Sequence, residues 1–134
     1  MKLNFTMSEL LHSDVAKQYN ISNIPSSAEL DNLLTLIVEC LQPIRDYIGK
    51  PMIISSGFRS VRLNAHPKIN GVKNSQHTTG QAVDFTIKGL SPKMVVKLVE
   101  ESGVEFDQLI NEYNLWTHIS YCKGKNRKQV LEIK

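Results

Sequence analysis

The stretch NSQHTTGQAVDF, residues 74–85, changes character midway. Its first half is small and polar. Its second half enters QAVDFTI (residues 81–87), where apolar and other residues alternate as in a half-buried strand. Val83 and Phe85 share one side of that strand, and Ala82, Asp84 and Thr86 share the other. Asp84 is then either a solvent-facing aspartate or one held by an arginine or a metal, because an unpaired buried carboxylate is costly. His77 lies just upstream, and Gly80 between the two permits a tight turn.

Outward from this strand the chain alternates between helical and extended patterns. TMSE at residues 6–9 is a capping box that predicts a helix from there to about Tyr19. Leu30, Leu33, Leu34, Ile37, Val38, Leu41, Ile44 and Ile48 recur at helical spacing and predict the longest helix, closed by Gly49 and kinked or interrupted at Pro43. KPMIISS (residues 50–56) reads as a buried strand. Residues 57–80 read as loop with a helical turn at Val61–Ala65. SPKMVVKLVEESG (residues 91–103) is a second helix, capped by Ser91, opened by Pro92 and closed by Gly103. FDQLINE, WTHISY and QVLEI are three short strands joined by turns. Helices first, then strands with one helix between them, predict an α+β fold: helices packed on a central, largely antiparallel sheet.

The whole chain is consistent with that reading. Its 134 residues suit one domain spanning residues 1–134, 41% of them hydrophobic and 22% charged. The net charge of +3 fits an anionic partner or plain solubility. The basic residues are scattered and form no nucleic-acid-binding motif, so no nucleic-acid partner is expected. Lys123, Lys125, Arg127 and Lys128 in the tail read as a solvated turn, or as a contact for anionic wall polymer. Cys40 and Cys122 have no ligand or redox spacing and read as free thiols. MKLNFTMSELLHSD has no long apolar core, so a cytoplasmic product without a signal peptide is expected. No stretch is apolar enough to span a bilayer, so no stable membrane insertion is expected.

Of the four histidines, His12 and His66 read as surface residues. His77 opens onto the Asp84 strand, and His118 sits amid WTHISY. Together His77, Asp84 and His118 supply two imidazoles and a carboxylate, a common set for a catalytic zinc that leaves a fourth position open. Non-haem iron uses the same set. A lone His-x6-Asp spacing is a weak signal.

The motifs go further than spacing. SQHTTGQAVD (residues 75–84) resembles the S-x-H-x-x-G-x-A-x-D signature of the zinc D-alanyl-D-alanine carboxypeptidase family. That family includes D-Ala-D-Ala carboxypeptidases and dipeptidases, and phage endolysins that cut L-alanyl-D-glutamate bonds. SSGFRS (residues 55–60) resembles its upstream arginine motif, and WTHISY (residues 116–121) its third ligand segment. FTMSELLHSD and LQPIRDYIGKP resemble the family's smaller, phage-type branch, so the likeness runs from Phe5 to Tyr121. It implies the same α+β fold with the metal site on the sheet. It implies one Zn2+ held by His77, Asp84 and His118, with Arg59 as the arginine that steadies the scissile carbonyl and Ser75 as the serine near the substrate. Trp116 reads either as a wall of the substrate groove or as a core anchor.

One position departs from the pattern. Many relatives carry Glu or Asp three residues before the last histidine as general base, and here that residue is Leu115. Glu112 lies on the other side of the turn EYNL and would face His118 across a hairpin; Asp107 is the second candidate. The resemblance thus implies a zinc-dependent peptidoglycan peptidase that hydrolyses a stem-peptide bond next to a D-amino acid, with Arg59 catalytic; Glu112 reads either as its catalytic base or as a surface residue near the turn. Such a protein, expected as a monomer, would act on the wall after release by a membrane pore or as part of a virion. The alternative is a non-catalytic zinc-containing domain that binds the wall or builds the virion, with Leu115 marking lost catalysis.

Overall fold

A computed structural model describes residues 2–134. Its centre is a five-stranded sheet of β1 (Ile53–Ser56), β2 (Ala82–Thr86), β3 (Gln108–Glu112), β4 (Trp116–Ser120) and β5 (Gln129–Ile133), in the order β1-β2-β4-β3-β5. Every pairing is antiparallel except β3 with β5. The helices are α1 (Met7–Leu11), α2 (Asp14–Gln18), α3 (Ser27–Leu36), α4 (Gln42–Ile48), α5 (Val61–Ala65) and α6 (Pro92–Ser102). The α+β class with a largely antiparallel sheet is therefore the one the sequence predicts.

The period of two along β2 divides the sheet into two faces. Val83 and Phe85, with Leu109 on β3 and Ile119 on β4, are fully buried among Leu33, Leu36, Leu41 and Ile44 of the α3–α4 region and Val95 and Val99 of α6. Asp84 on β2 pairs with His118 on β4, and both point to the opposite face. That face is covered near β2 by the chain between β1 and β2, so Ala82 and Asp84 are buried as well.

Four local predictions change. The helix expected over residues 6–19 is two helices, α1 and α2. The Leu10 carbonyl accepts from Phe58 N (2.7 Å), and Ser13 Oγ accepts from Ala16 N to start the second helix. This break holds α1 against Gly57, where a Cβ would come within 2.2 Å of the Leu10 carbonyl oxygen. The long helix is interrupted as Pro43 requires, but by a π-turn at Ile37–Leu41. There the Gln42 N–H bonds to the Ile37 carbonyl, and Pro43 falls in the first turn of α4, where no N–H is needed. KPMIISS is not a buried strand: β1 is a sheet edge with Ile53 55% exposed, and its register shifts between Ile54 and Ser56. A short apolar run does not distinguish edge from centre, since only strand order sets which strand is flanked. Within the segment read as loop, Gln76–Thr79 form a 3-10 turn in addition to α5.

Cys40 and Cys122 are both unpaired. Burial pushes both thiols up in pKa, which makes them poor nucleophiles. Among the described residues no helix is long and apolar enough to cross a membrane.

Candidate metal centre

Each ligand candidate is placed by a different local device. His77 sits in the 3-10 turn, which Ser75 caps by accepting from His77 N (3.2 Å) and which Gly80 ends at φ 76°. A Cβ on Gly80 would lie 2.6 Å from the Glu29 carbonyl oxygen, so this turn is pressed onto α3. Asn32 of α3 reinforces the contact by donating to the Thr79 carbonyl (2.8 Å). Asp84 and His118 are direct cross-strand partners in the middle of the sheet.

The geometry converges on one oxygen. Asp84 Oδ1 lies 2.9 Å from His118 Nδ1 and 3.4 Å from His77 Nε2. The two imidazoles meet nearly edge to face, with ring centroids 5.2 Å apart. All three side chains offer a ligand atom within 4.8 Å of one another. Tetrahedral zinc with bonds of about 2.0–2.1 Å sets its ligands about 3.3 Å apart, close to these separations.

Proton positions show that the set suits a cation. His77 Nδ1 lies 2.7 Å from the Gly57 carbonyl oxygen. A carbonyl only accepts, so Nδ1 carries the proton. Burial keeps the ring neutral, lowering its pKa against the pull of Asp84. His77 Nε2 therefore turns a lone pair toward the Asp84 carboxylate. Burial alone would raise the Asp84 pKa, but its close surroundings, the 2.9 Å contact with His118 first, outweigh it and hold the carboxyl well below its usual range. A neutral imidazole lone pair facing a carboxylate oxygen is repulsive unless a cation lies between them. The Gly57 carbonyl is the outer partner that metal-ligating histidines ordinarily have.

Two charged groups flank the ligands from opposite sides. Arg59 NH2 lies 3.8 Å from Asp84 Oδ2. Its NH1 donates to Asn64 Oδ1 (2.9 Å), and Asn64 Nδ2 donates to the Val72 carbonyl (2.9 Å). Burial lowers the guanidinium pKa while Asp84 and Glu112 support the charge. On the other side Glu112 Oε1 lies 3.8 Å from His118 Nδ1. Burial, then the Asp84 charge, raises the Glu112 pKa above the ordinary carboxylate range, against smaller pulls from His118, Trp116 and Arg59. One buried N–H group beside the site, Arg59 Nε, has no hydrogen-bond partner among the described residues, while Trp116 Nε1 has the Glu112 carboxylate near it. Buried donors are normally satisfied, so Arg59 Nε suits a ligand that brings an acceptor oxygen.

The hairpin explains Leu115. Tyr113 and Asn114 both have positive φ (58° and 55°), the mark of a tight hairpin turn. Glu112 pairs with Trp116, which leaves Leu115 outside the ladder and 67% exposed. Glu112 enters the site face diagonally across from His118, the position a residue at 115 cannot reach from the turn. Asp107 is engaged elsewhere. It accepts from Arg127 Nε (2.9 Å), Arg127 NH2 (2.7 Å), the Arg127 backbone N (2.9 Å) and Gln76 Nε2 (2.8 Å). With both oxygens committed it is no base for this site, which corrects its place as second candidate. Ser75 is buried, its Oγ used as the cap, and Trp116 is half-buried against Tyr113 (centroids 5.7 Å). His12 is exposed and pairs with Asp14 (2.9 Å), while His66 packs on Tyr19 (centroids 4.4 Å); neither joins the cluster.

Asn64 and Gly71 carry no sequence signal of what they do. Their roles come from a loop folding back. Gly71 N donates to the Asn64 carbonyl (2.9 Å), and a Cβ at Gly71 would lie 1.9 Å from Asn64 Oδ1 and 2.9 Å from Arg59 NH1. Gly71→Ala is therefore expected to displace Arg59 and to cost about 1–3 kcal/mol of stability by overpacking, read as a lower urea midpoint. An unchanged midpoint would show that the loop yields at no cost.

The Asp107–Arg127 pair has a pH consequence. Hydrogen bonds from Arg127 outweigh burial and hold the Asp107 carboxyl well below its usual range. A depressed folded pKa contributes stability above the unfolded value of about 3.9 and loses it as pH falls below that. Asp107→Asn is expected to cost about 1–2 kcal/mol at pH 7, at the low end because Arg127 is 56% exposed and its charge is screened. Urea midpoints of parent and variant should draw together only as pH falls well below about 3.9, toward the depressed folded value; a gap independent of pH would point to packing alone.

Comparison with known proteins bears on most of the chain. The family model described as Peptidase M15 matches residues 3–120, a span that holds every residue of this cluster. No curated protein matches the chain.

Proposed function

The chain belongs to the peptidase M15 family, a family of zinc-dependent peptidases, and we propose that it hydrolyses a peptidoglycan stem-peptide bond next to a D-amino acid, in the manner of a phage endolysin. The observation that carries this reading is the convergence of His77 Nε2 and His118 Nδ1 on one oxygen of Asp84, with Arg59 and Glu112 on opposite flanks. A zinc-containing domain that only bound the wall would have no need of a base beside the ligands.

His77, Asp84 and His118 would hold the metal, which supplies Lewis acidity and makes water acidic enough to attack near neutral pH. Arg59 is fixed by Asn64 on the Asp84 side, where its guanidinium can stabilise negative charge growing on the scissile carbonyl oxygen. Glu112 takes the proton of the attacking water and delivers it to the leaving amine. Burial pushes the pKa of the Glu112 carboxylate up from its ordinary value, which makes it a better proton acceptor than a free one. The positive charge of the metal would draw that pKa partly back down. Trp116 and Ser75 border the site and are proposed as substrate contacts, Trp116 through its indole face.

The direct test is incubation with purified peptidoglycan of several wall types, with and without a chelator, counting new amine ends. New ends that vanish with chelator and return with Zn2+ are expected. Intact stems and cross-links in every tube would remove the peptidase reading. We propose further that the chain works as a monomer and reaches the wall after release from the cytoplasm.

A further inference from the structure

We propose that Leu131 and Ile133 of β5 form an apolar floor of the substrate groove on the leaving-amine side of the cleaved bond, and so select an aliphatic substrate residue there. This rests on the peptidase reading above.

The sheet register puts them in line with the site. Asp84 pairs with His118, His118 with Ile110, and Ile110 with Leu131. The neighbouring row runs from Trp116 to Glu112 to Ile133. Side chains at paired positions share a face, so both rows run along the site face from the ligands to the sheet edge. Adjacent strands are about 4.8 Å apart, so Leu131 lies about 10 Å beyond His118, roughly three residues of an extended peptide. Ile110 between them is apolar but already buried, so the apolar surface this row still offers a ligand is that of Leu131.

The order of groups along the face gives the direction. Arg59 stands beside Asp84, on the β2 side, where the carbonyl oxygen is stabilised. Glu112 stands on the β3 side, where the leaving amine is protonated. A peptide that continues past that amine runs over β3 and onto β5.

The composition of β5 suits such a use. An edge strand ordinarily guards itself with charge. The site-facing positions of β5 are Gln129, Leu131 and Ile133, and its only acidic residue, Glu132, pairs with Asn111 and points to the other face. Leu131 and Ile133 keep 39% and 38% of their surface exposed, so they can still bury area against a ligand. β5 also lies beyond the family match, which ends at residue 120.

The test uses the full-length zinc-loaded protein with Leu131→Thr and Ile133→Thr, which keep strand propensity. Its substrates are two synthetic stem peptides that differ only in the third residue after the cleaved bond, one aliphatic and one glycine. The parent should prefer the aliphatic peptide. Each variant should lose roughly 10-fold in kcat/KM on that peptide. On the glycine peptide the change should be within about 2-fold, with zinc content and melting temperature unchanged. Equal losses on both peptides, or none, would overturn the proposal while leaving the peptidase reading intact. If the parent turns over neither peptide, Trp116, the single tryptophan, reports binding by its fluorescence. Tighter binding of the aliphatic peptide by parent than by variants then supports the floor, and equal or absent binding overturns it.

Discussion

Glu112→Gln is expected to lower kcat by about 10²–10⁴-fold, the range of general acid–base assistance, with zinc content unchanged. Gln keeps the shape and the hydrogen bonding of Glu112 but cannot carry a proton between water and amine. KM should move little, because Glu112 acts on groups that change only in the reaction. The acid limb of the pH profile should also vanish if Glu112 is the group that titrates on it. A variant with parental kcat would remove Glu112 from the mechanism. A parent that binds zinc and wall without turnover, and a variant indistinguishable from it, would favour a wall-binding domain. The exposed position of Leu115 argues against reading that residue as a sign of lost catalysis. The carboxylate is present on the facing strand, diagonal to His118.

Asp84→Asn is expected to have a comparable or larger effect by another route. The oxygen on which both histidines converge loses its charge, and with it most of the attraction for a divalent cation. Activity should fall by about 10³-fold or more, the scale of the several kcal/mol a Lewis-acid metal supplies. A second readout is independent of turnover. A metal that binds only the folded chain stabilises it by about 4 kcal/mol at 1,000 times its dissociation constant, so added Zn2+ should raise the parent's melting temperature. The variant's melting temperature should not respond at the same zinc concentration. A parent whose melting temperature ignores both zinc and chelator would contradict a metal at these three residues.

Much of this was legible in the sequence because it rests on local rules. The caps at Ser91 and Gly103 bound α6 where the pattern predicts, since capping uses neighbours in the chain. The period of two in QAVDFTI put Asp84 opposite Val83 and Phe85, and the structure keeps that division. His77, Asp84 and His118 could be grouped by type, but nothing local brings residues 77 and 118 together. Their meeting depends on β2 pairing with β4. The predictions that changed were those local pattern could not reach. The first helix breaks because the Leu10 carbonyl bonds to Phe58, 48 residues on.

The sequence by itself indicated the fold class and, through its resemblance to the family, the three residues proposed as ligands, while leaving open whether Asp84 faced solvent or a cation. It did so because periodicity, caps and side-chain chemistry are properties of residues and their near neighbours. Only the tertiary structure decided which carboxylate stands beside the ligands. Glu112 and Asp107 are equally acidic in the sequence, and strand register turns one toward His118 while Arg127 and Gln76 occupy the other. It also decided that β5, read from sequence as one more strand, adds Leu131 and Ile133 to the site face, because parallel pairing with β3 sets which side chains point that way.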